Sequence, residues 1–88
     1  MSTSLKDLAE WFEHGRASSN SHMIVVCDTF DHEDYPVYVK IWQNFWTEFN
    51  KYHNQNMQRI MEVYDYAIPW SKQSTGRVWN VPPMVDPS

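Results

Sequence analysis

Three kinds of hydrophobic patterning follow one another along the chain. In the first, Leu5, Leu8, Ala9 and Phe12 recur at i, i+3, i+4 and i+7, a spacing that gathers side chains on one face of a helix. Lys6, Asp7, Glu10 and Glu13 fall on the wet side, and Trp11 borders the stripe. Ser4 suits the N-cap position with Asp7 three residues on, and Gly15 is the expected stop. Residues 16–21 are small and polar, a loop by composition.

The second pattern is a continuous apolar run, His22-Met-Ile-Val-Val-Cys-Asp28, whose β-branched centre predicts a strand covered on both faces. Charged and turn-forming residues from Asp28 to Asp34 interrupt it. The strand pattern then resumes over Tyr35–Ile41. Pro36 has no N–H to give a ladder, so it belongs at the start of that strand or on an open edge. Two strands joined by a short polar loop read most economically as an antiparallel hairpin.

The third pattern begins at Ile41. Ile41, Phe45, Phe49 and Tyr52 fall at steps of four, four and three, which predicts a helix over 42–53 with Trp42 and Trp46 beside the stripe. After the polar break at 54–56, Met57, Ile60, Met61 and Tyr64 share a face if helical, and Pro69 ends that second helix. Residues 77–81 are expected to add a short third strand or to dock Trp79 on the core. The sequence therefore predicts one α+β domain over 1–80, ordered α-β-β-α-α, and a Pro-rich tail over 81–88. Because a lone two-stranded sheet is marginal in water, a third strand is expected from the tail or from a second copy in a dimer.

Composition narrows the function. With 88 residues, a domain buries only roughly 60–65% of its unfolded surface, which leaves little for an enclosed active site. Acidic residues outnumber basic ones by 11 to 7, and the formal charge of −4 disfavours a grip on nucleic acid or anionic lipid. No apolar run reaches the roughly 18–20 residues of a membrane span. The first fifteen residues lack the basic and apolar regions of a secretory signal. One cysteine cannot form an internal disulfide, so a reducing, cytoplasmic setting is expected.

Four candidate chemistries follow from side-chain placement. Asp28, Asp31, His32 and Glu33 offer oxygen and imidazole ligands for a divalent metal at the hairpin tip, as a metal-dependent hydrolase would require. A solvated turn, with Asp side chains bonding nearby amides, explains the same residues. Cys27 lies in the apolar strand beside a carboxylate, the opposite of the electropositive setting a nucleophilic thiol needs. The histidines His14, His22, His32 and His53 are dispersed, and with two glycines neither a P-loop nor a dinucleotide fingerprint can be built. No catalytic signature and no cofactor is implied, so the expectation is a protein that is not an enzyme.

Aromatic residues make up 16% of the chain, and five of them are Trp. Trp42, Phe45, Trp46, Phe49 and Tyr52 form an arc wider than one core-facing stripe needs. The surplus, with the hairpin loop, is the expected surface for a protein partner, either a host protein or a second copy. Packing of a leucine-poor core is the structural alternative. A second functional reading is a sponge or sensor for a nucleotide-like small molecule, with Tyr66, Trp70 and Trp79 stacking and Arg59 or Arg77 on phosphate.

The block from His22 to Asp31, followed by Glu33-Asp-Tyr-Pro-Val-Tyr-Val39, resembles one in small uncharacterised bacterial and phage proteins. The similarity extends through Asn56-Met-Gln-Arg-Ile-Met-Glu-Val-Tyr-Asp65, about the middle half of the chain. No activity attaches to that group, so the resemblance carries over no functional residue. It implies a phage or mobile-element accessory protein, and inhibition of a host protein is the expected form of its binding.

Overall fold

A computed structural model describes residues 4–53, 57–73 and 78–83. The first helix, α1, runs Leu5–Arg16, and the Ser4 side chain caps it by accepting from the Asp7 amide at 3.2 Å. Leu8 and Phe12 are its buried face, whereas Leu5 stays exposed. Gly15 does not stop the helix, which continues through it to Arg16. Its lack of a side chain serves packing instead, because the Tyr38 and Tyr66 side chains press against its Cα.

Strands β1 (Asn20–Asp28) and β2 (Glu33–Lys40) form the expected antiparallel hairpin. A third strand, β3 (Gln58–Asp65), pairs antiparallel with the other side of β1, giving the order β2-β1-β3. The central strand is buried on both faces, which is why it reads as an unbroken apolar run. Ile24 and Val26 face one side and Met23 and Val25 the other. Pro36 lies in β2, the edge strand, where a missing N–H is tolerated.

The segment expected as a second helix is thus β3, and a β-bulge explains the misreading. Val25 pairs with Glu62 and Val26 with Ile60, so Met61 is an additional residue in the ladder. Ile60 and Val63 consequently pack on one face of the sheet, and Met61 and Tyr64 on the other. Each pair is three residues apart. A bulge therefore imposes on a strand the spacing that a helix turn produces.

Helix α2 (Phe45–Tyr52) covers one face with Phe45 and Phe49. It starts three residues later than the periodicity predicts because Asn44 caps it, its Oδ1 accepting from the Thr47 amide at 3.0 Å. On the other face α1 packs with a short helix, α3 (Trp70–Gln73). Pro69 precedes α3 rather than ending a helix, since its fixed φ and absent N–H suit a first turn.

The third strand comes neither from the tail nor from a partner. The tail contributes a smaller piece: the Val63 amide donates to Val78 O and the Asn80 amide to Val63 O, both at 3.0 Å, a parallel bridge along the outer edge of β3. Val78 is buried, and Val81 packs against the α2-side core. Residues 81–83 have no regular structure, as the prolines require, and the tail from 84 lies outside the described residues.

Candidate functional site

The aromatic arc is divided by the fold. Phe45 and Phe49 are core. Trp46 and Tyr52 pack half-buried against them, with the Trp46 ring edge-on to both phenylalanines at 5.0 and 5.1 Å. Four of the five residues expected as a binding stripe thus serve mainly to close the sheet, because a helix of this length on one face needs that whole arc for its core. Trp42 is different. It lies outside α2, in the β2–α2 turn, and is 72% exposed beside Ile41 at 65%.

This turn is held by its own hydrogen bonds. The Ile41 amide donates to Ser19 O at 3.0 Å, the Gln43 amide to Lys40 O at 3.0 Å, and the Lys40 amide to the Gln43 side chain at 2.8 Å. Two large apolar side chains therefore stand in water on a backbone that is fixed from three directions. The hairpin loop does not join them, because the two turns lie at opposite ends of β2.

At that far end, the carboxylates are absorbed by local structure. Asp28 Oδ1 accepts from the Phe30 amide at 2.8 Å and Asp31 Oδ1 from the Glu33 amide at 3.1 Å. His32 takes a positive φ, and its amide donates to Asp28 O. Among the described residues no three His, Cys, Asp or Glu side chains gather as a metal site would need, so Asp28, Asp31, His32 and Glu33 are spread around a turn. Phe30 is exposed at its tip.

Cys27 is buried, with its thiol 3.6 Å from Asp28 O. Burial, and then the Asp34 side chain, pushes the thiol pKa up, away from the reactive thiolate. His22 is half-buried against Phe45, its Nδ1 2.9 Å from Ser21 Oγ and its Nε2 3.7 Å from Asp65 Oδ2. Burial lowers its pKa, and the Asp65 charge only partly offsets this.

The five residues expected to hold a nucleotide-like ligand also separate. Tyr66 stacks on Phe12 at 4.2 Å, its hydroxyl donating to Phe12 O at 2.7 Å, and Trp70 packs on Phe12 and Tyr64. Both belong to the α1-side core. Arg77 lies outside the described residues. Arg59 and Trp79, in contrast, come together with Ile60 and Met61 around a cleft of about 360 Å³ at the outer edge of β3.

No protein-family model matches the chain, and no curated protein and no solved structure is significantly similar to it. Among the described residues, no helix is long and apolar enough to cross a membrane.

Proposed function

We propose that this chain is a non-catalytic binding protein that engages a protein partner through the Ile41–Trp42 turn. One observation carries the reading: the largest apolar side chain available is held out into water on a hydrogen-bonded turn, where burial would otherwise be expected. Tryptophan is enriched at interface hot spots because it contributes a large rigid area with a polar N–H. A fixed backbone also lowers the ordering cost of association. The small size and acidic charge of the chain, in the phage or mobile-element setting that the resemblance implies, favour a host protein as the target and inhibition as the outcome. A second copy of the chain is the other occupant to be tested.

The test compares Trp42→Asp with Phe30→Asp, both exposed positions. Each variant is expected to keep the wild-type melting temperature. Affinity capture from host extract should retain the same partner with wild type and Phe30→Asp and lose it with Trp42→Asp, while Trp46→Asp should unfold the domain. If the partner is a second copy, sedimentation should show a dimer that Trp42→Asp dissociates. Capture and oligomeric state both indifferent to Trp42→Asp would overturn the proposal.

A further inference from the structure

The cleft at the edge of β3 lies beside two irregularities. The first is the bulge at Met61: Arg59, Ile60 and Met61 line the cleft from around the strand edge, Ile60 from one face of the sheet and Met61 from the other. Bulges recur next to functional sites. The second irregularity is the tail, whose backbone, among the described residues, bridges β3 at Val63 alone. Trp79 is the residue bridged to Val63 and flanks the strand there. Its ring stands edge-on to Phe49 at 5.9 Å and remains 47% exposed, so the indole is supported from within and open without.

Charge gives the cleft a preference. The chain carries a formal charge of −4, and ion pairs among its described residues match Arg16 with Glu13, Lys51 with Glu48 and His22, when protonated, with Asp65. None of these pairs engages Arg59, which is exposed, lines the cleft and lends its charge to the neighbourhood of Cys27. A guanidinium presents a planar fork of donors suited to carboxylate or phosphate. An indole and a thioether beside it suit a flat ring. The volume, about 360 Å³, is at the small end of the roughly 300–1,000 Å³ of ligand sites.

We infer that this cleft binds a small planar aromatic anion, with its ring against Trp79 and Met61 and its oxyanion on Arg59. The site is separate from the Ile41–Trp42 turn and does not depend on it. The shared chemistry, a ring bearing an oxyanion, occurs in nucleoside monophosphates and in aromatic carboxylates, so both are probed.

Calorimetric titration with adenosine monophosphate, benzoate, adenosine and inorganic phosphate tests the inference. At least one of the first two should bind saturably, and adenosine and phosphate alone should bind about tenfold more weakly or not at all, since each lacks half of the recognition. Arg59→Gln should weaken the bound probe by about tenfold or more, and Trp79→Leu should do likewise. Trp42→Asp should leave binding unchanged, which separates this site from the protein-binding surface. Should Trp79→Leu fail to fold, the Arg59→Gln result alone decides. Binding by neither ring-bearing anion, or binding indifferent to Arg59→Gln, overturns the inference.

Discussion

Gly15 sits in the last turn of α1 beneath two tyrosines that cannot easily withdraw. The Tyr38 hydroxyl donates to Trp11 O at 2.8 Å and the Tyr66 hydroxyl to Phe12 O at 2.7 Å, so both rings are tied to the helix they press upon. A methyl group at residue 15 would overlap the Tyr66 hydroxyl and the Tyr38 ring. In an exposed helix, Gly→Ala gains about 1 kcal/mol of helix propensity. Here overpacking, which costs about 1–3 kcal/mol in a close-packed interior, opposes that gain and adds the loss of one or both hydroxyl bonds. Gly15→Ala is therefore expected to lower stability by about 1–3 kcal/mol in urea denaturation, and an unchanged or raised midpoint would show that the tyrosines yield freely. From sequence Gly15 reads as a helix stop, because a close approach by residues 23 and 51 positions away leaves no local mark.

At the scale of elements, what was legible depended on whether a pattern was made locally. The α1 stripe, the Ser4 cap, the central apolar strand and the hairpin are set by neighbours within a few residues, and all could be read. The period of β3 is set by a bulge against a strand more than thirty residues away in the chain, and it mimicked a helix. The Asn44 cap was legible in principle, since Asn is among the favoured N-cap residues, but the aromatic period drew the boundary outward. Site residues followed the same division. Trp42 could be named from sequence, but its separation from Phe45 and Phe49 depends on where the helix begins.

The elements at one end of the molecule are joined by a buried side chain that sequence gave no reason to single out. Gln73, on α3, accepts at Oε1 from the Asp65 amide (3.1 Å) and Asn80 Nδ2 (2.7 Å), and donates from Nε2 to the carbonyls of Asp65 and Ile68 (2.8 Å each). One amide thus ties α3, the end of β3 and the returning tail together. Gln73→Leu keeps the volume approximately and orphans four polar groups. The expected loss is about 2 kcal/mol or more, together with faster hydrogen exchange at the Asp65 amide. Exchange at Asp65 as slow as in wild type would show that the tail is held by its backbone bridge alone.

On the scale of the whole molecule, the antiparallel sheet is closed on both faces, and the one half-buried histidine among the described residues couples global stability to pH. His22 meets Ser21 from its own strand, Asp65 from β3 and Phe45 from α2. Burial is the largest influence and lowers its folded pKa below the ordinary 6.5, with Asp65 pulling the other way. As pH falls from neutrality toward the folded pKa, the unfolded chain therefore takes up this proton before the native one does. Stability rises with pH wherever the unfolded state holds more protons, so the contribution of His22 is fully present above about 6.5 and is lost as pH falls through the folded pKa. Unfolding free energies measured at about pH 7.5 and about pH 5.5 should show a decline in wild type that is smaller in His22→Gln, whose side chain does not titrate. Asp65→Asn should steepen the decline, because it removes the charge that favours the imidazolium while keeping an oxygen for the Ala67 amide. Equal slopes in wild type and His22→Gln would mean that the imidazole gains its proton equally in the folded and unfolded chain, and that the Asp65 charge fully compensates burial.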